Sequence, residues 1–284
     1  MLPNFIVIGA AKCGTTSVCD ILGRHRDVFM CDPKEPCFFS HMNQEFRTRP
    51  WYESLFAGAV GKHAIGEGST AYTHPDVIRT TAERIRDTLP GCRLIYMVRH
   101  PIKRLESDWR MRRHEQWTPP AISDAVAEQP NLVRHGFYWQ NLSVYREFFA
   151  DEQILVVFFE DFVANPHSEL ERCLLHIGVE PTVPTDDPGR ARNRSADFRA
   201  DGRLAARLRR SPYFRRVVDA LPTRFVQAAK LLLTRQEEFH IDWRPDTLSA
   251  ISEQLAADAS RFLAHCGKPD DYWTFETRPL STHT

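Results

Sequence analysis

The 284-residue chain has no net charge: 37 Lys and Arg stand against 37 Asp and Glu. That balance removes any global electrostatic argument for binding nucleic acid or a membrane surface, so an anion site has to come from local clustering. No apolar run approaches the length of a membrane span. The first residues, Met1-Leu2-Pro3-Asn4, lack a basic stretch followed by an apolar run and a small-residue cleavage site, so no secretory signal is legible. The expectation is a cytoplasmic protein, or one from which an N-terminal anchor has been removed. No Cys-x-x-Cys occurs, and the seven cysteines (Cys13, Cys19, Cys31, Cys37, Cys92, Cys173, Cys266) are odd in number. Metal-ligand spacing and a disulfide framework are both unsupported, and reduced thiols are expected. There is no internal repeat and no Pro/Gly-rich linker. What remains, 42% hydrophobic and 26% charged residues, is an ordinary globular composition.

The densest information lies in Phe5-Ile-Val-Ile-Gly-Ala-Ala-Lys-Cys-Gly-Thr-Thr-Ser17. An apolar run ends in a glycine turn, a lysine and a second glycine follow, and three hydroxyl residues open a helical pattern. This is the pattern of a strand–loop–helix phosphate cradle. Gly9 and Gly14 let an anion approach the backbone, Lys12 supplies charge, and Thr15, Thr16 and Ser17 supply hydroxyl donors. Cys13, inside the loop, reads as a small filler or a reactive thiol, with the filler preferred. The spacing is not that of a Walker A loop, because the lysine precedes the second glycine by two residues. Arg93-Leu94-Ile95-Tyr96-Met97-Val98, the best later strand, ends in Arg99 and not in the acid that a magnesium-dependent NTPase uses.

Around these motifs, apolar runs alternate with helical patterns. Strands are expected at 5–9, 63–67, 93–98 and 153–159, and helices at 14–23, 76–88, 101–115, 138–149, 166–176 and 246–265. Such alternation implies parallel βαβ units: a single α/β domain over 1–284, with a central parallel sheet flanked by helices and a P-loop-like loop after the first strand. Ligands of such sheets bind at the carboxyl ends of the strands, where both motifs fall. The core is expected at 4–178. Residues 179–202 are proline-punctuated and basic and read as a long functional loop, and 203–235 read as helices. The nine Lys and Arg of that last stretch form either a solvated face or a patch for an anionic partner.

The loop resembles the 5′-phosphosulfate loop, roughly K-x-G-T-[TS], of sulfotransferases that use 3′-phosphoadenosine 5′-phosphosulfate (PAPS), of the bacterial or heparan sulfate-like type. A second segment agrees: Arg99-His-Pro-Ile-Lys-Arg-Leu-Glu-Ser107 is similar to the family's 3′-phosphate motif R-x-P-x-x-R-x-x-S. The resemblance implies sulfuryl transfer from PAPS to a hydroxyl or amine of a carbohydrate or small-molecule acceptor, with no metal required. It implies nucleotide contacts from Lys12, Cys13, Gly14, Thr15, Thr16 and Ser17 at the 5′ end and from Arg99 and Ser107 at the 3′-phosphate. A late basic loop covers the nucleotide in the family. Arg192, Asn193, Arg194 and Ser195 are assigned that job, although the K-G-R form of several relatives is absent.

For the chemistry, Lys12 suits the leaving-group oxygen. Glu35, in Lys34-Glu-Pro-Cys-Phe-Phe39, resembles the family's K-E-x-x-[FY]-F segment, whose glutamate takes the acceptor proton. An apolar wall around Glu35 would raise its pKa toward useful base strength. Lys34 steadies the sulfuryl group or only tunes Glu35. Glu67-Gly-Ser-Thr-Ala-Tyr72 resembles the block E-K-[ST]-x-x-Y, with Gly68 where relatives carry a lysine. Lys34 or Lys12 then covers the missing charge, and Glu67 orients a substrate, holds Lys12, or serves as a second-choice base. His135 is a candidate for the acceptor pocket, with a structural role as the plainer reading. His100 reads as packing behind Arg99. Trp109, Trp117, Phe137, Tyr138 and Trp139 wall an acceptor site or pack in the core. A P-loop-type kinase is the alternative enzyme, and a non-catalytic nucleotide-binding module the third reading.

Overall fold

A computed structural model describes residues 1–41, 47–183 and 239–275, with the backbone of two short segments at 199–201 and 234–236. Strand β1 (Phe5–Gly9) is buried at every position, as a strand covered on both faces requires. It sits in the middle of a five-stranded sheet with β2 (Val28–Met30), β3 (Ala64–Gly68), β4 (Arg93–Val98) and β5 (Ile154–Phe158), in the order β2-β3-β1-β4-β5. Every pairing is parallel. Phe5 lies opposite Gly66 on one side and Arg93 on the other. A Cβ at Gly66 would come within 2.1 Å of the Phe5 ring, so this glycine makes room for the aromatic.

From β1 the chain runs outward to β2, and from β4 it runs the opposite way to β5. The carboxyl ends of β1 and β4 therefore flank the topological switch point, where open α/β sheets form their ligand crevice. The Gly9–Gly14 loop leaves one of these ends and Arg99 leaves the other.

The helices are α1 (Thr15–Leu22), α2 (Arg49–Ser54), α3 (Ile78–Thr88), α4 (Pro101–His114), α5 (Ile122–Glu128), α6 (Asn131–Arg134), α7 (Tyr138–Arg146), α8 (Phe159–Ala164), α9 (Pro166–His176) and α10 (Pro245–His265). Helix α4 starts sharply: Pro101 takes its first position, where no N–H is needed, and the His100 Nδ1 accepts the Ile102 N–H at 3.2 Å. The main core surrounds the sheet. A second apolar cluster joins α4, α5, α6 and α10 through Leu105, Trp109, Ile122, Leu132 and Leu255. Tyr272 and Trp273 dock on the body: Trp273 is buried parallel to Phe262, and the Tyr272 hydroxyl donates to Asp161 at 2.8 Å.

The expected strands and helices are present within a few residues. Five elements of the main body were not expected: β2, α2, α5, α6 and α8. They have three, six, seven, four and six residues respectively, too few to carry a period. The irregular reading of 179–202 is interrupted by β6 (Arg199–Asp201), which pairs antiparallel with β7 (Thr234–Gln236). The helices expected over 203–235 lie outside the described residues except for Thr234 and Arg235, which are strand.

Candidate active site

The loop after β1 coils through two positive φ angles, +71° at Lys12 and +88° at Gly14, the residue that caps α1. Its start is tied to β4 by the Ala10 N–H donating to the Met97 carbonyl at 2.6 Å. A Cβ at Gly9 would lie 2.3 Å from Thr73 Oγ1, and one at Gly14 would lie 2.9 Å from the Phe159 ring. Both glycines are thus required by space as well as by conformation. The α1 N-terminus follows directly, with the N–H groups of its first turn and the hydroxyls of Thr15, Thr16 and Ser17. Thr15 and Ser17 are buried. Unpaired N–H groups at a helix start carry partial positive charge and favour an anion. Cys13 is fully buried, with its Sγ 3.7 Å from the Tyr138 hydroxyl, and burial pushes its thiol up to about 12. It fills space and is not a reactive thiolate. All seven cysteines are free thiols.

Arg99 follows β4. Its guanidinium lies 4.8 Å from the centre of the Phe159 ring, the same ring that backs Gly14. Its carbonyl accepts the Tyr138 O–H at 2.7 Å. Burial lowers the pKa of Lys12, Asp108 acts against this, and the nearby Arg99 lowers it further. Lys12 and Arg99 are thus near enough to repel, and the loop of one and the side chain of the other share the Phe159 wall. Ser107 is nearly buried on α4. Between them Arg104 is fully buried, bonded to Asp108 at 3.3 Å and to the Leu132 carbonyl. It ties α4 to α6. Burial disfavours the Asp108 carboxylate, but Arg104 and Arg112 outweigh it and hold its pKa below the ordinary value.

Glu35 arrives from the segment after β2. Its carboxylate accepts the Thr70 N–H at 3.0 Å and the Thr70 hydroxyl at 2.9 Å, and it pairs with Lys34 Nζ at 3.3 Å. The expected apolar wall is not what surrounds it: the side chain is 32% exposed and sits among donors. Pro36 and the two phenylalanines direct their bulk away, with Phe38 and Phe39 in the core. Lys34 lies across Gly68, its Cε 3.5 Å from where a Cβ there would be, while Cys19 Sγ would be 2.6 Å from that same atom. Position 68 therefore has no room for a lysine, and the aliphatic arm of Lys34 passes over it.

Glu67 is fully buried, and its hydrogen bonds go to Tyr52 (2.5 Å), Tyr72 (2.8 Å) and Ser69 (2.8 Å). It orients protein hydroxyls, not a substrate. His135 is buried and meets His74 edge-on at 4.8 Å. Burial and Arg104 push its pKa down to about 3, so it is neutral and enclosed rather than open to a pocket. Trp109 and Tyr138 are core residues, whereas Trp117 is 65% exposed. His100 packs against Phe275 at 5.0 Å. Arg192, Asn193, Arg194 and Ser195 lie outside the described residues. Sequence reasoning gave no role to Thr70, which holds Glu35, or to Phe159, which backs Arg99. Only the place of Thr70 inside the Glu67–Tyr72 block hinted at either.

A family model described as the sulfotransferase domain matches residues 2–195. The chain belongs to that family. Human heparan sulfate glucosamine 3-O-sulfotransferase 6 is 28% identical over 190 residues, covering 64% of this chain and 54% of that protein. Mouse bifunctional heparan sulfate N-deacetylase/N-sulfotransferase 3 is 23% identical over 201 residues, covering 63% of this chain and 23% of that protein. The chain thus spans about half the length, or less, of these curated relatives. A solved sulfotransferase from Alicyclobacillus acidocaldarius superposes with a TM-score of 0.68 at 22% identity, covering 95% of this chain and 97% of that one. The sulfotransferase domain of the curacin biosynthetic pathway gives 0.53 at 14%. At such identities these two likenesses speak for the fold. Family membership disfavours the kinase alternative.

Proposed function

We propose that this sulfotransferase-domain protein moves the sulfuryl group of PAPS to a hydroxyl or amine of a carbohydrate or small-molecule acceptor. The observation that carries the reading is that the Lys12 loop and Arg99 leave adjacent strand ends and share the Phe159 wall, with Glu35 held by Thr70 in the turn after the neighbouring strand. The donor set fits a bisphosphorylated nucleotide. Glycines that no Cβ could replace, the N–H groups of the α1 start and the Thr15–Ser17 hydroxyls suit the 5′ end. Arg99 and Ser107 suit the 3′-phosphate.

Within that frame, Lys12 neutralises charge on the departing phosphate oxygen. Burial lowers its pKa, which makes it a readier proton donor to that oxygen than a solvated lysine. Glu35 accepts the acceptor's proton, and its two Thr70 bonds fix the carboxylate so that a remaining lone pair is free for that step. Lys34 balances the charge of Glu35 at rest and faces the sulfuryl oxygens once Glu35 is protonated. No step calls for a metal.

The direct test uses radiolabelled PAPS with pooled carbohydrate and metabolite extracts; sulfate label is expected on an acceptor. Lys12→Ala and Glu35→Gln should each lower transfer by about 100-fold or more. Glu35→Gln should still bind 3′,5′-phosphoadenosine with wild-type affinity by calorimetry. Absence of nucleotide binding in the wild type would overturn the reading, and binding without transfer to any acceptor would leave a nucleotide-binding module.

A further inference from the structure

The segment that carries Glu35 is held by a buried device that the sequence motifs do not describe. Two of its N–H groups point inward: Cys37 donates to Ser69 Oγ at 3.0 Å, and Phe39 donates to the Tyr72 hydroxyl at 3.3 Å. A hydroxyl accepts reliably only if its own proton is committed elsewhere. Here both protons are committed to one group. Ser69 Oγ donates to one oxygen of Glu67 at 2.8 Å, and Tyr72 donates to the other at 2.8 Å. A carboxylate is acceptor-only, so Glu67, in the ionised form it takes above about pH 7, forces both hydroxyls to turn their lone pairs toward the 37–39 backbone. The next residue after Ser69, Thr70, holds the Glu35 carboxylate itself. Tyr52, the third donor to Glu67, is different: its ring stacks on Phe38 at 4.2 Å, but its hydroxyl accepts no N–H from the segment among the bonds described.

We infer that Glu67 is a positioning residue for sulfuryl transfer, setting the placement of Glu35 through Ser69 and Tyr72. This rests on Glu35 being the base. It differs from the roles the motif suggested, since Glu67 is fully buried and its bonds go to the hydroxyls of Tyr52, Ser69 and Tyr72. A neutral amide at position 67 would offer an N–H₂ to one hydroxyl, turn that hydroxyl around and release one anchor of the segment. The loss is of alignment, and an ångström of misplacement at a reacting group costs about 100-fold in rate.

The experiment compares Glu67→Gln, Ser69→Ala, Tyr72→Phe, Tyr52→Phe and Glu35→Gln in the full chain. It measures label transfer from PAPS to the pooled extract, calorimetric affinity for 3′,5′-phosphoadenosine, melting temperature, and hydrogen exchange of the Cys37 and Phe39 amides. Expected are transfer losses of about 10- to 100-fold in the 67, 69 and 72 variants, with nucleotide affinity unchanged and faster exchange at 37 and 39. The Glu67→Gln/Tyr72→Phe double variant should lose no more than the worse single one. Tyr52→Phe should lower the melting temperature as much as Tyr72→Phe, yet cost less transfer. Equal transfer losses in the two tyrosine variants at equal destabilisation, or unaltered transfer in Ser69→Ala and Tyr72→Phe, would overturn the inference. If Glu35→Gln transfers normally, the base assignment fails, and amide exchange still reports whether Glu67 anchors the segment. Should Glu67→Gln not fold, Ser69→Ala and Tyr72→Phe carry the test.

Discussion

Arg99 illustrates how much one side chain depends on its backing. Its guanidinium rests on the Phe159 ring, which also closes the space behind Gly14, so the cation proposed for the 3′-phosphate and the loop proposed for the 5′ end share one wall. Arg99→Glu should therefore weaken 3′,5′-phosphoadenosine binding by about 100-fold, the cost of a lost charge-assisted contact plus repulsion. Calorimetry with adenosine 5′-phosphate, which lacks the 3′-phosphate, should show a much smaller change. A second residue-scale expectation concerns pH. Burial raises the Glu67 pKa to about 7, well above its unfolded value. The folded state then holds a proton that the unfolded state has released, so stability associated with this group is lost as pH rises from about 4.5 through 7. Glu67→Gln has no such titration. The melting temperature of wild type relative to Glu67→Gln should fall across that window and level off above it.

At the scale of elements, the carboxyl end of β3 meets α1. Gly68 faces Cys19 so closely that any side chain there must displace the sulfur. Gly68→Ala should cost about 1–3 kcal/mol by overpacking. Adding Cys19→Ala should recover most of it, because the clash is with that one atom, and the pair should be clearly non-additive in denaturant titration. The same contact explains why the lysine expected at position 68 is missing and why the arm of Lys34 can run there. Helix α4 is the other element with a double task. It begins two residues after Arg99 and carries Ser107, while Arg104 and Asp108 on the same helix form a buried pair, and Arg104 bonds the Leu132 carbonyl of α6.

Over the whole molecule, the site exists because the sheet reverses its winding between β1 and β4. Two cationic segments distant in sequence then leave adjacent strand ends, and the acid at a strand end that would hold magnesium is replaced by Arg99. Transfer should accordingly persist at full rate after exhaustive chelation with EDTA, measured as label from PAPS with and without added magnesium; a kinase-like mechanism would lose it. No helix among the described residues is long and apolar enough to cross a membrane.

Much of this was legible in the chain itself. The β1–loop–α1 cradle is local: its strand, turn glycines, lysine and helix start are contiguous, and each is set by short-range sterics and hydrogen bonding. Arg99, Pro101 and Ser107 are readable for the same reason, being a strand end and one helical face. What the residues around Glu35, Glu67 and His135 do was decided only by tertiary structure. A carboxylate's role depends on which donors and how much water surround it. Thr70 for Glu35, Tyr52 for Glu67 and Arg104 for His135 are brought in from other parts of the chain by the packing of the sheet, and Ser69 and Tyr72, though close to Glu67 in sequence, reach its carboxylate only through the turn that follows β3. Sequence order supplied the groups; three-dimensional burial decided which of them stays in contact with solvent and which serves as an anchor.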